Sequence, residues 1–218
     1  MSEKKRLTKI LDRLETLFPS SWKPKPDDPF SELIRVILSQ NCLDILSTRA
    51  FERLRQKFPI TPETLANVKP KDIAQLIKCA GLYRIKSRRI VEVSRIVLDQ
   101  FKGNLRSILE LPLDQARKTF MSIPGVGEKT VDVMLCFCAN RPVIPVDTHV
   151  NRVAKRLGIV KNRNAGYEMV RTTLEALVPV KDCKKAHILL ITLGRKYCKA
   201  RKTLCTVCPL SDICPKLI

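Results

Sequence analysis

An all-α fold is what this sequence predicts, and three observations carry the prediction. Apolar residues recur at three- and four-residue spacing through most of the chain. Gly81, Pro112, Pro124, Gly125 and Gly158 fall between those periodic stretches, where they end one helix before the next begins. No segment shows the sustained apolar–polar alternation of a half-buried strand. The expectation is about ten or more short helices, with no clear tandem repeat.

The elements follow in order. Leu7, Ile10, Leu11, Leu14 and Leu17 define a first amphipathic helix. Asp28-Pro29 opens a second, because proline fits the first helical turn; Leu33, Ile34, Val36, Ile37 and Leu38 are its apolar positions. Thr61-Pro62-Glu63-Thr64 starts another short helix by the same logic. The periodicity predicts further helices near residues 43–57, 70–79, 84–101, 113–121, 127–139, 148–156, 165–177 and 184–196. Residues 141–146, Arg-Pro-Val-Ile-Pro-Val, are β-prone, but two prolines make them an extended connection instead.

Composition narrows the class. The 218 residues suffice to bury roughly 70% of the unfolded surface, in one large domain or two lobes. No run of eighteen apolar residues offers a membrane span, and the start, Met1-Ser2-Glu3-Lys4-Lys5-Arg6, leads into an amphipathic pattern. An intracellular protein, in cytoplasm or nucleoid, is expected. Basic residues number 41 against 21 acidic, a net charge of +20 that draws polyanions and makes nucleic acid the leading partner.

Nine cysteines, an odd count, also fit a reducing compartment. Cys42, Cys79, Cys136, Cys138 and Cys183 are scattered, and Cys136 and Cys138 sit in an apolar run where they read as small buried hydrophobes. The other four are grouped as Cys198-x6-Cys205-x2-Cys208-x5-Cys214. Four thiolates on one short segment match a [4Fe–4S] cluster, which takes one sulfur per iron. Zinc also takes four but favours two close Cys-x2–4-Cys knuckles, and only one gap here is that short. The spacing favours the cluster and leaves zinc and free thiols open.

Residues 121–132 read Met-Ser-Ile-Pro-Gly-Val-Gly-Glu-Lys-Thr-Val-Asp and link two helical patterns. Gly125 and Gly127 permit a tight turn whose amides, with the next helix N-terminus, can face an anion such as a DNA phosphate. An ordinary helix–helix turn is the alternative. The run Pro124-Gly125-Val126-Gly127-x-Lys129-Thr130 resembles the helix-hairpin-helix of the base-excision glycosylase superfamily. Eighteen positions after Lys129, Val146-Asp147-Thr148-His149 resembles that superfamily's Val-Asp-Thr-His element. With the segment 187–195, the four cysteines, Leu38-Ser39-Gln40-Asn41 and the segment 81–86, the order is similar to the endonuclease III family, over roughly residues 30–215.

That resemblance implies two helical lobes flanking a DNA-binding cleft. Residues 24–140 would form a six-helix barrel ending in the hairpin, and residues 1–23 with 141–218 a second domain holding the [4Fe–4S] cluster on Cys198, Cys205, Cys208 and Cys214. It implies a monomeric glycosylase and abasic-site lyase acting on double-stranded DNA with oxidised pyrimidines. Lys129 would be the nucleophile and Asp147 the catalytic carboxylate, meeting from opposite lobes. Gln40 and Asn41 would fill the gap left by an everted nucleotide, and Gly125, Gly127, Lys199, Arg201 and Lys202 would contact phosphate. The alternatives are a mismatch or 8-oxoguanine glycosylase on the same scaffold, or a non-catalytic zinc and hairpin DNA-binding module. Cys42-Leu43 before Asp44 departs from the smaller or polar residues usual in the family, which leaves damage preference open.

Chemistry adds its own expectations. A lysine amine of ordinary basicity is uncharged in only about one molecule in a thousand near neutral pH. Partial burial, the following helix N-terminus and nearby cations are expected to favour the free amine of Lys129. Asp147 doubles as the N-cap of the helix near Thr148. His149 and His187 are expected to be structural, bonded to backbone. Tyr83, with Arg84 and Lys86, lies at the DNA surface, or Tyr83 packs in the core.

Overall fold

A computed structural model of the protein describes residues 2–19 and 28–217. Among them are twelve α-helices and no strand, as the periodicity requires. By compactness the chain forms two units, residues 1–24 with 135–218, and residues 25–134. The expected domain boundary between residues 23 and 24 lies outside the described residues.

Within the first unit, α1 (Glu3–Leu17) starts where Ser2 Oγ accepts from the Lys5 amide, and it buries Leu7, Ile10, Leu11 and Leu14. Its partners in the core come from α10 (Thr148–Arg156), α11 (Tyr167–Leu177) and α12 (Cys183–Lys196): Val150, Val153, Leu174, Leu189, Leu190 and Leu193 are all buried against it. Phe18 stacks on Tyr197 at 6.2 Å, with the Lys196 ammonium 4.7 Å from the Phe18 ring centre. Polar ties reinforce the packing. Arg6 donates to Leu157 O at 2.6 Å, and Arg13 to Pro209 O at 3.1 Å and to the Asp212 carboxylate.

Cys183, on α12, is buried, and burial, with Glu175 and Asp182 behind it, pushes its thiol up to about 11. Such a thiol is a small hydrophobe rather than a nucleophile. Cys136 is likewise buried.

The second unit begins with α2 (Pro29–Ser39), whose Asp28 carboxylate accepts from the Phe30 and Ser31 amides at 3.0 and 3.2 Å. Next come α3 (Asp44–Lys57), α4 (Pro62–Asn67), α5 (Pro70–Leu76) and a 3-10 turn, Lys78–Ala80. The nineteen-residue α6 (Tyr83–Phe101) is the unit's central element and packs on α2, α4 and α5. Then follow α7 (Arg106–Glu110), α8 (Leu113–Met121) and α9 (Glu128–Cys138).

Two details differ from the sequence expectation. The helix expected over 70–79 ends at Leu76 and tightens into the 3-10 turn, and α7 was not anticipated. Five residues span little more than one turn, too few to establish a period.

Ile10 is fully buried. Ile10→Ala should therefore lower stability by about 2–5 kcal/mol, the usual cost of an unfilled core cavity. Urea unfolding followed by circular dichroism measures it. In the same experiment Cys183 should stay unalkylated by iodoacetamide at pH 8 until the protein unfolds.

Candidate active site

The hairpin is built by α8, the turn 122–127 and α9. The turn closes through Ile123 N donating to Phe120 O at 3.0 Å and Val126 N to Ile123 O at 3.1 Å, with both side chains buried. Beneath it, Arg117 on α8 pairs with Asp132 on α9, Nε to Oδ1 at 3.0 Å and Nη2 to Oδ1 at 2.9 Å. The Asp132 side chain is 2% exposed. A carboxylate this deep requires its partner, so the pair fixes how the two helices meet.

Gly125 and Gly127 have different reasons to be glycine. Gly125 has φ +76°, and a Cβ there would meet the Arg89 side chain at 3.0 Å. Gly127 has neither a left-handed backbone nor a neighbour within 4 Å of an added Cβ. What its missing side chain leaves is open space over the start of α9, where amides point outward and the dipole favours an anion.

Lys129 stands on the first turn of α9, one residue after Glu128, and its side chain is exposed. The partial burial expected for it is therefore not supplied by the folded chain. Any desolvation of this amine must come from what binds. Lys129 belongs to the unit 25–134 and Asp147 to the other unit.

Gln40 and Gly125, paired in the sequence reading only as DNA contacts, are directly bonded: Gln40 Nε2 donates to Gly125 O at 3.1 Å. Asn41, next to it, is exposed with φ +49°. Arg84 is exposed, with its guanidinium 5.8 Å from the Tyr83 ring centre, and Tyr83 is half-buried. Lys86 is buried, which corrects its expected place at the surface.

Asp147 terminates the extended segment 141–146. With no strand beside it among the described residues, that segment is held at its start by main-chain bonds, Arg141 N to Leu135 O at 2.9 Å and Val143 N to Arg141 O at 2.8 Å, and beyond them by side chains. Ile144 N donates to Glu175 Oε1 at 2.9 Å, and Val146 N to the Tyr167 hydroxyl at 3.3 Å. His187 Nδ1 lies 2.7 Å from Pro145 O, so this nitrogen carries the proton. Arg171 backs Glu175 at 2.6 Å and pairs with Glu168 on the same helix. Asp147 then caps α10, its Oδ1 accepting from Val150 N at 2.8 Å. Its other carboxylate oxygen accepts no hydrogen bond from the described residues. His149 Nδ1 is 3.0 Å from Arg152 Nη2, and His187 bonds to backbone; both are structural, though the partner of His149 is a side chain.

The four grouped cysteines line one cavity, about 380 Å³ with its mouth included, with Leu157, Leu193, Tyr197 and Leu210 among its walls. Nitrogens approach the sulfurs: Arg156 Nη1 lies 3.7 Å from Cys198 Sγ, and Lys216 N lies 3.3 Å from Cys214 Sγ. Burial raises the Cys208 and Cys214 thiols, backbone amides lower them, and charge on the neighbouring cysteines raises them again. Four thiolates here would repel one another without a cationic centre between them. Among the described residues no three His, Cys, Asp or Glu side chains converge on a single ion position; the four cysteines are among the residues that line the cavity.

The residues bracing this cavity were missed from sequence. Arg152 Nε donates to Cys198 O at 2.8 Å and its Nη2 to Gly194 O at 3.1 Å; Arg156 Nη1 donates to Lys199 O at 2.7 Å. Two arginines four apart on a helix read as a solvated face, and only their i,i+4 spacing hints that both reach the same loop. With its backbone held, the loop leaves the side chains of Lys199, Arg201 and Lys202 exposed.

Hairpin, capped aspartate and four-cysteine cavity on one helical chain define a class, and comparison with known proteins agrees. Residues 34–180 match the HhH-GPD superfamily of base excision DNA repair proteins. The chain is 36% identical to endonuclease III of Bacillus subtilis (strain 168) over 211 residues, 96% of this chain and 92% of the relative. It is 34% identical to endonuclease III of Escherichia coli (strain K12), covering 98% and 96%. A trapped endonuclease III–DNA covalent intermediate superposes with a TM-score of 0.85 at 34% identity, over 99% and 97% of the two chains. The chain belongs to the endonuclease III family of HhH-GPD DNA glycosylases, base-excision-repair enzymes with glycosylase and abasic-site lyase activity.

Asp132→Ala should cost about 3–5 kcal/mol by removing the buried carboxylate that pairs with the Arg117 guanidinium. Adding Arg117→Met should return a large part of that loss. Thermal unfolding of the two variants decides it; equal destabilisation would mean that the pair is not what joins α8 to α9.

Proposed function

We propose that this enzyme removes oxidised pyrimidines from double-stranded DNA and then breaks the strand, with Lys129 as nucleophile and Asp147 as its carboxylate partner. The observation that carries the reading is an exposed amine on the first helical turn after an open, glycine-lined hairpin. Eversion of the nucleotide costs a few kcal/mol, least where the base is damaged or poorly stacked. The hairpin amides and the exposed basic loop 199–202 offset that cost at the phosphates. Gln40 and Asn41 occupy the vacated space.

The lone pair of Lys129 Nζ then forms a bond to C1′ as the glycosidic bond breaks, and the base leaves with the electron pair of that broken bond and takes up a proton. Opening of the sugar ring gives an imine. Loss of a C2′ proton expels the 3′ phosphate, which is β-elimination. Asp147 stabilises the positive charge that develops on the sugar. One of its oxygens is engaged in capping α10, which fixes the carboxylate and leaves the other oxygen for the substrate.

Cys198, Cys205, Cys208 and Cys214 hold a [4Fe–4S] cluster on this reading. Zinc also takes four thiolates but favours two close knuckles, and only one of the gaps between these cysteines is that short. The cluster's contribution is to fold the loop that presents Lys199, Arg201 and Lys202; base release and elimination need no electron transfer. Residues 24–140 serve as the barrel domain, and 1–23 with 141–218 as the cluster domain. The enzyme works as a monomer, inside the cell where the genome is.

Borohydride trapping on duplexes carrying thymine glycol, 8-oxoguanine or an abasic site tests the chemistry. A covalent adduct should form, with thymine glycol preferred over 8-oxoguanine, and Lys129→Ala should abolish it. Adduct surviving in that variant would defeat the assignment of the nucleophile. The purified protein should be brown and absorb near 400 nm; a colourless, zinc-loaded protein would refute the cluster. Neutralising Lys199, Arg201 and Lys202 together should flatten the salt dependence of DNA binding, by about 0.9 in slope for each phosphate that is no longer neutralised.

A further inference from the structure

The chemistry above leaves one buried charge unused. Lys86, on the second turn of α6, is 4% exposed. Its Nζ donates to two main-chain carbonyls, Leu38 O and Ala80 O, each at 2.8 Å. Leu38 is the penultimate residue of α2, and Ala80 ends the 3-10 turn Lys78–Ala80. The last carbonyls of a helix have no partner within it and carry the negative end of its dipole. The last turn of α2 contains no basic residue of its own. A side chain 48 positions along the sequence supplies the cation instead.

This arrangement is costly. A buried ammonium loses its hydration, and its acceptors here are neutral carbonyls. Burial lowers the Lys86 pKa from the ordinary lysine value, while negative charge on Cys42 opposes the shift. Methionine would fill similar space without that cost. It would offer no donor, however, and the two carbonyls would lose the group that joins them. What the lysine adds over a hydrophobe is direction: two chain segments are fixed to one nitrogen.

Both segments lead into exposed left-handed residues. Past Leu38 the chain runs through Ser39 to Gln40, which bonds Gly125 O, and to Asn41 with φ +49°. Past Ala80 it runs through Gly81, φ +62°, to Leu82, φ +45°, whose apolar side chain is 54% exposed. Non-glycine residues in this region are held only where their surroundings determine them. Lys86 is directly beneath both. We infer that Lys86 is a positioning residue: its ammonium sets the Gln40–Asn41 loop and the Gly81–Leu82 turn in one register, so that Gln40 enters the space an everted nucleotide vacates. The inference rests on the gap-filling role proposed above for Gln40.

The test uses the full-length enzyme and one duplex sequence carrying either thymine glycol or a preformed abasic site. Single-turnover rates and KM are measured for wild type, Gln40→Ala, Lys86→Met and the double variant. Gln40→Ala should slow release of thymine glycol at least tenfold, and Lys86→Met should do likewise, mainly through KM. In Lys86→Met, cleavage at the abasic site, where no base needs extraction, should fall at least threefold less than release of thymine glycol does. The double variant should be no more than about twofold slower than the slower single one, since both changes disable the same insertion. A merely structural lysine would instead lower both substrates' rates equally and multiply with Gln40→Ala. If Lys86→Met does not fold, as judged by circular dichroism, Lys86→Arg keeps the donors and should retain the thymine glycol preference. Full activity in Lys86→Met, with Gln40→Ala impaired, overturns this inference alone. An unimpaired Gln40→Ala overturns the gap-filling reading on which it rests.

Discussion

Apart from Lys129 on the first turn of α9, the segments on which the proposed function depends are non-helical, and non-helical backbone in an all-helical chain has no ladder in which to satisfy its hydrogen bonds. That constraint shapes the rest. A buried amide or carbonyl left without a partner costs free energy comparable to a lost hydrogen bond. The chain answers it with polar side chains projected from helices distant in sequence. Glu175, Tyr167 and His187 hold the segment that ends at Asp147. Arg152 and Arg156 hold the start of the cysteine loop, Arg6 and Arg13 its later part, and Gln40 the hairpin turn. The groups proposed to do chemistry are thus placed by groups that do none.

This changes the meaning of the basic composition. A net charge of +20 points to a polyanion, yet many of the cations face inward. Arg95 donates to Ala66 O, Lys155 to Ala165 O, and Arg171 pairs with two glutamates. Arg117 stabilises Asp132, and Lys86 lies under two helix ends. Long cationic side chains suit this work because they offer several donors at the end of an apolar stem, and a guanidinium reaches two carbonyls at once. Most of the described cations remain exposed, and these are the ones a polyanion can meet.

Helix positions were legible wherever the signal was local. Asp28-Pro29 and Thr61-Pro62 mark their helices because a cap and a first-turn proline act within one turn. The extended path of 141–146 followed from its prolines, and Asp147 as an N-cap from its place before Thr148. The four cysteines could be grouped because their spacing is short. What could not be read depends on distance along the chain. Nothing near Lys86 in sequence announces that it caps α2, and nothing near Arg152 or Arg156 announces the loop at 198–200. Lys86 and the exposed Arg84 look alike as letters, and only the register of α6 against α2 separates them. The expected burial of Lys129 failed for the same reason: a basic residue on a first turn is buried or exposed by what packs over it, not by its neighbours in sequence.

The exposure of Lys129 also makes chemical sense on the proposed mechanism. An amine must be attractive to a polyanion before it binds and nucleophilic afterwards, and those demands call for opposite protonation states. A lysine desolvated by its own protein would meet the second demand at all times and forfeit the first. Leaving the amine in water and keeping Gly127 bare beside it lets the ammonium and the helix amides act together on an approaching phosphate. DNA lying over that surface would cover the amine that its own protein leaves bare, so on the proposed mechanism the same open turn that admits a phosphate also lets the sugar reach Lys129.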